Sequence, residues 1–341
     1  MTDPAALEGL PLPEQRQKAL GHDAVRDAIL AQLAERRLPG AILLHGPQGV
    51  GKATLAFELA AAILTATGDE PLERVHEQIA ALSHPNLSVL RRRLKDSKSY
   101  YTVIRVEEVR DLRAALHHTR GRAGHRIAVI DSIDDCNPAA ANALLKTLEE
   151  PPPETLFFLI SHRPGSLLPT IRSRCHNLAL RPLPDAVLRD IVSAERPGLD
   201  AATLDRAVQL ANGRPRRAFE TLALEENSAV GALQLWLRQP DAAPIAAELQ
   251  LADALGSDPQ GPDMSFAREM LADWMAEEMR QSALTGGDRR RLASATELWD
   301  KAHALLAEAD SVNLDMKQTL VVIFDAIRKH CALTAYSIEP Q

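Results

Sequence analysis

The chain has 341 residues, 45% of them hydrophobic and 25% charged, a composition ordinary for a globular protein and too long for a single core. Its net charge of −7 is uneven, residues 1–182 carrying +2 and residues 183–341 carrying −9. An acidic second half argues against a protein that coats nucleic acid by itself and suits one that meets other proteins. Leu20, Val25, Ile29 and Leu33 recur at helical spacing, which predicts a helix over 22–37 ended by Pro39-Gly40. A short buried strand follows at 41–45, then a glycine-rich turn at 46–51 and a helix from Lys52 to about Thr65. Residues 66–86 are polar and mixed. Further strands are predicted at 87–90, 126–131 and 156–160, with helices at 106–119 and 138–150 between them. Strands alternating with helices imply a parallel α/β sheet.

Beyond Arg181-Pro-Leu-Pro184 the strand signals stop. Residues 200–211 read as a helix ended by Asn212-Gly213, with Pro215 opening the next. From about 226 onward every periodic stretch is helical, broken at Gln239-Pro240, Gly261-Pro262 and Gly286-Gly287. The expected organisation is therefore an α/β nucleotide-binding-like domain at 1–182, a small helical lid at 183–225 and an all-α domain at 226–341. Trp274, Trp299, Leu305, Leu320 and Ile323 are its expected core.

No basic stretch followed by an apolar one opens the chain, and the longest apolar run, 57–66, falls short of the ~20 residues of a membrane span. A cytoplasmic protein with no membrane partner is expected. Cys136, Cys175 and Cys331 are too scattered for a disulfide framework or a thiolate metal site. His117-His118 form no metal-binding spacing.

Gly46-Pro-Gln-Gly-Val-Gly-Lys52 matches the phosphate-loop pattern GxxxxGK between strand and helix. Gly46, Gly49 and Gly51 let backbone N–H groups cradle phosphate oxygens, and the Lys52 ammonium reaches the outer phosphates. The next residue should carry a hydroxyl that ligates Mg²⁺, and here it is Ala53. Thr54 is turned about 100° away around the helix. Asp131, ending its strand, supplies the carboxylate that holds Mg²⁺ through water, but Ser132 follows it in place of a glutamate base. The expectation is a weak or vestigial site for ATP or ADP, with Mg²⁺ doubtful and hydrolysis slow or absent.

Asn142-Ala-Leu-Leu-Lys-Thr-Leu-Glu-Glu-Pro-Pro152, followed by Leu168-Pro-Thr-Ile-Arg-Ser-Arg-Cys175, resembles the clamp-loader branch of the AAA+ ATPases. The resemblance covers about the first 225 residues by motif. It implies a non-motor subunit of the bacterial DNA polymerase III clamp loader, with gamma/tau motor subunits and a delta subunit as partners in a hetero-pentameric ring. Through that ring it would meet the sliding clamp and primed DNA, and the helical domain at 226–341 would be the oligomerisation collar. Arg174 corresponds to the family's arginine finger, inserted in trans into a neighbour's ATP site. Arg216 sits at the sensor-2 position, although Arg214 and Arg217 compete for it and a capping or surface role fits as well. Ser161 lies near sensor 1 or is simply a strand-end hydroxyl. Many relatives carry a four-cysteine zinc module where this chain has 67–85, which contains no cysteine, so zinc is not carried over. Arg91-Arg-Arg93 with Lys95, Lys98, Tyr100 and Tyr101 could meet DNA phosphates or bases, but such runs are more often solvated faces. Arg120 and Arg122 read as a loop.

Overall fold

The computed structural model describes residues 6–7, 9–95, 100–117, 122–224, 228–259, 261–284, 289–312 and 314–335. Lys98, His118, Arg120 and the break at Gly286-Gly287 lie outside the described residues. Five strands, β1 (Ala41–His45), β2 (Leu87–Leu90), β3 (Arg126–Asp131), β4 (Thr155–Ser161) and β5 (His176–Ala179), form one sheet in the order β2-β3-β4-β1-β5. Every pairing is parallel. The central strand β4 is buried along its whole length, as its unbroken apolar run requires when helices cover both faces.

Alternate residues of the strands serve opposite cores. Ile42, Leu44, Ile127, Val129, Phe158 and Ile160 face α1 (Asp23–Ala34), α2 (Lys52–Thr67) and α3 (Leu72–Ala80). Leu43, Ala128, Ile130, Phe157 and Leu159 face α4 (Val106–His117) and α5 (Pro138–Glu149). Asn137 caps α5 by accepting the Ala140 N–H at 2.8 Å, and Pro138 occupies its first position, where a missing N–H costs nothing. The short α6 (Pro169–Arg172) follows β4.

Three helices complete the first compact unit, which spans residues 1–222: α7 (Asp185–Glu195), α8 (Ala201–Ala211) and α9 (Pro215–Leu222). They bury a core of their own around Leu188, Ile191, Val192, Val208 and Phe219, against which Leu7 and Leu10 pack. Asn212 and Gly213 end α8 in the left-handed region, at φ of 48° and 71°. A side chain at Gly213 would press within 2.8 Å of Pro182 and Leu183, so only glycine fits where the chain turns back on itself.

The second unit, residues 223–341, is helical: α10 (Ala229–Arg238), α11 (Ile245–Gly256), α12 (Pro262–Leu284), α13 (Arg289–Val312) and α14 (Met316–Ala335). Leu320, Ile323, Phe324 and Ile327 put one face of α14 in its core, and the Trp236 ring lies 4.8 Å from that of Phe324. Trp274, Trp299 and Leu305, expected in the core, are only half-buried. Trp274 keeps its indole N–H near the surface and donates it to the Leu237 carbonyl at 3.1 Å. No helix among the described residues is long and apolar enough to cross a membrane.

Candidate functional site

The phosphate loop leaves β1 and enters α2 through three glycines with φ of +147°, +79° and +107° at 46, 49 and 51. Lys52 opens α2 and is buried. Its ammonium donates to the carbonyls of Gly46 at 2.7 Å and Pro47 at 2.6 Å. Burial pulls its pKa down to about 7, although Asp131 and Asp134 oppose the shift. Below the loop, His22 donates Nε2–H to the Val50 carbonyl at 2.8 Å. Burial lowers the His22 pKa, which keeps the ring neutral and suited to that contact. Only the pair Gly21-His22 ahead of α1 could have signalled this support, and nothing in its spacing does.

A cavity of about 260 Å³ opens beside the loop, walled by Leu10, Leu12 and Pro13 on one side and Ile191, Arg216 and Phe219 on another. Arg216 stands over Gly49: a Cβ there would come within 2.7 Å of the Arg216 Cβ. The Arg216 N–H donates to the Gly49 carbonyl at 3.3 Å, and its guanidinium pairs with Glu220 at 2.7 Å. Arg214 and Arg217 are buried and do not line the cavity. Of the three competing arginines, Arg216 lines the cavity, while the buried Arg214 stands near enough for its charge to lower the Lys52 pKa.

Asp131 also lines the cavity. Its carboxylate lies 3.7 Å from Arg91, and that arginine is fully buried. Glu14, on the 3-10 turn Pro13–Gln15, receives both Arg91 terminal nitrogens, at 3.1 and 3.3 Å. The guanidinium stands 5.9 Å from the centre of the Phe57 ring. Arg91 is thus neither a DNA contact nor part of a solvated face, because two carboxylates draw it inward. Arg92 pairs with Asp135 at 3.1 Å, and Arg93 reaches Glu108 and Asp111 at 3.4 and 3.5 Å. The Tyr101 ring carries the Arg105 guanidinium at 4.4 Å.

Ser132 stands where a catalytic glutamate would. Its hydroxyl donates to Asp134 at 2.8 Å and accepts the Asp134 N–H at 3.1 Å. Asp134 also accepts the Ser161 hydroxyl at 3.0 Å and the His162 N–H at 2.6 Å. These bonds hold the Asp134 carboxyl below its ordinary pKa even though burial pushes the other way. Asp134 therefore ties the exit of β3 to the exit of β4, and the Ser161 hydroxyl is engaged by that tie. Burial and the nearby Lys52 charge take His162 down to about 4, leaving it neutral.

Arg174 does not line the cavity. It follows α6 with its side chain 35% exposed, pairing with Glu149 at 2.7 Å and donating to the Thr170 carbonyl at 2.9 Å. The two sequence words that carry the family resemblance therefore meet through this ion pair.

The segment set against the zinc module forms α3, with Val75 and Ile79 turned inward. The Glu70 carboxylate organises it, reaching Arg74 at 2.9 Å, Gln78 at 3.0 Å and Arg122 at 3.4 Å. Among the described residues no group of three or more His, Cys, Asp or Glu is placed to hold a metal. Burial pushes the Cys136, Cys175 and Cys331 thiols up to about 12, 11 and 12, so none is poised as a nucleophile.

A parallel sheet ordered β2-β3-β4-β1-β5, a phosphate loop after β1, an aspartate ending β3 and a helical lid against the loop define an α/β module of the P-loop nucleotide-binding type. Residues 21–184 match the family described as "DNA polymerase III, delta subunit". It is similar to the DNA polymerase III delta-prime subunit of Pseudomonas aeruginosa, with 36% identity over 199 residues, 57% of this chain and 59% of that one. The delta-prime subunit of Haemophilus influenzae is 33% identical over 53% of this chain and 54% of its own length. The gamma/tau subunit of Mycobacterium tuberculosis is 29% identical over 62% of this chain and 37% of its own. The match thus spans a little more than half the length of the delta-prime relatives.

Proposed function

We propose that this chain is a cytoplasmic, non-motor subunit of the DNA polymerase III clamp loader that serves ATP hydrolysis in a neighbouring subunit. The observation that carries this reading is the position of Arg174: partly exposed, outside the chain's own cavity and held by one partly exposed ion pair and one bond to the Thr170 carbonyl. Such a pair is worth little in water, so a neighbour's phosphates can compete for the guanidinium. There it would neutralise charge developing on the transferred phosphoryl group. Gamma/tau and delta subunits are the partners in a hetero-pentameric ring, joined through the helical domain at 226–341. The sliding clamp and primed DNA are met through the assembled ring.

The chain's own loop binds ATP or ADP weakly and hydrolyses neither at a useful rate. Ala53 offers no hydroxyl to a metal, and the Ser132 hydroxyl is committed to Asp134. Gly46, Gly49, Gly51 and Lys52 form the phosphate cradle, and Arg216 closes over it. ATP turnover by the purified chain is expected to be at background, while its addition to motor subunits raises theirs. Robust turnover by the chain alone would instead make it an active AAA+ ATPase.

The Lys52 environment gives the binding a pH signature. Phosphate favours the ammonium form, and in the free protein that form is lost above about pH 7. Binding above this pH must take up a proton, whereas below it none is needed. ADP affinity is expected to weaken by up to about tenfold per unit between about pH 7 and 9. Calorimetric titration in two buffers of different ionisation enthalpy reads the proton uptake directly, and a pH-independent affinity would refute the assignment.

A further inference from the structure

Asp131 lines the nucleotide cavity, and the buried pair of Arg91 and Glu14 behind it has no place in ordinary phosphate-loop chemistry. A fully buried guanidinium is tolerated only where carboxylates compensate it. Here the compensation comes from two distant places in the chain. Glu14 grips both terminal nitrogens, and Asp131 approaches one of them at 3.7 Å. Arg91 cannot swing away without stranding Glu14, whose side chain is itself 1% exposed.

In a hydrolysing P-loop site, Mg²⁺ is held by the hydroxyl after the loop lysine and by the strand-end aspartate. Neither group is available in that way here. Ala53 has no ligand atom, and a divalent ion near Asp131 would meet the fixed positive charge of Arg91 at short range. The residues present do not fit Mg²⁺. The positive charge offered to a phosphate chain at the loop is that of Lys52, and Arg91 offsets the Asp131 carboxylate that faces the same cavity.

We propose that Arg91, clamped by Glu14, occupies Asp131 in the place of a divalent cation, so that this loop takes a nucleoside diphosphate or triphosphate with no help from metal. The proposal rests on the reading that the loop binds nucleotide at all. Glu14 also fixes the 3-10 turn Pro13–Gln15, beside the cavity wall at Leu10, Leu12 and Pro13. The charge and the wall are therefore set together.

The test is calorimetric titration of ADP into the full chain, in excess Mg²⁺ and in EDTA. The wild type is expected to bind equally in both. The double variant Arg91→Met/Glu14→Met removes the pair without stranding a carboxylate in the core, a replacement that buried ion pairs generally tolerate. With Asp131 released, ADP is expected to bind that variant about tenfold tighter in Mg²⁺ than in EDTA. Tighter wild-type binding in Mg²⁺ would overturn the metal-free site and leave nucleotide binding standing. Absence of ADP binding in both buffers would overturn both together. A folded double variant as indifferent to Mg²⁺ as the wild type would remove Arg91 from the explanation. Should the double variant not fold, the wild-type comparison still decides.

Discussion

Replacing Arg174 with alanine is expected to cut ATP turnover at the adjoining motor site by about a thousandfold or more, the usual contribution of a guanidinium supplied in trans. Folding should survive, because Arg174 is partly exposed and its contacts are one ion pair with Glu149 and one bond to the Thr170 carbonyl. The measurement is single-turnover hydrolysis by the reconstituted assembly, read at the site this chain adjoins, beside an Arg172→Ala control. Sites elsewhere in the ring keep their own chemistry, so steady-state turnover should fall only by the share of one site. Clamp loading is expected to suffer more than the steady-state rate, since it needs the sites to act in concert. Equal single-turnover rates for wild type and Arg174→Ala would end the finger assignment. They would leave the match of residues 21–184 to the delta-subunit family untouched.

The largest effect on stability is expected at Glu14. Glu14→Ala removes the bidentate partner of a buried arginine, a kind of change that costs about 3 kcal/mol or more. The sequence separation is large, 77 residues, so the loss also unfastens the N-terminal segment from the sheet. All three tryptophans, at 236, 274 and 299, lie in the second compact unit. Urea unfolding followed by far-UV circular dichroism should therefore show an early transition in the variant. Tryptophan fluorescence, reporting only on 223–341, should keep its midpoint. Coincident, unchanged transitions by both probes would mean that the pair contributes nothing.

The sheet was readable because its strands are continuous apolar runs bounded by turns, as in Ala41–His45 and Arg126–Asp131. The edge strand His176–Ala179 escaped notice: its residues are mostly exposed, so no alternation marks it. The helix Leu72–Ala80 was lost in a polar segment because it turns only Val75 and Ile79 inward. Asp185–Glu195 likewise buries one narrow stripe of Leu188, Ile191 and Val192 after a proline-rich stretch. At the site, local words single out Lys52, Asp131 and Arg174 as candidates through their neighbours in sequence. They could not reveal that Glu14 meets Arg91, or that Asp134 gathers bonds from Ser132, Ser161 and His162. Those contacts join separate elements, and only the folded sheet brings their ends together. The arginine run at 91–93 shows the hazard in reverse, since three adjacent cations that look like a patch each have an acidic partner within the chain.

The tie made by Asp134 limits what exchanges at the neighbouring positions can do for hydrolysis. Two letters, serine at 53 and glutamate at 132, would restore the missing groups on paper. Glutamate at 132 would deprive Asp134 of the hydroxyl that now donates to it and bring a second negative charge beside it. Arg91 would still sit against Asp131, held there by Glu14. An exchange at 53 and 132 alone therefore leaves two standing obstacles, the altered bonding of Asp134 and the fixed charge of Arg91. Arg174, bonded to Glu149 and to the Thr170 carbonyl, shares none of these contacts and is untouched by such an exchange.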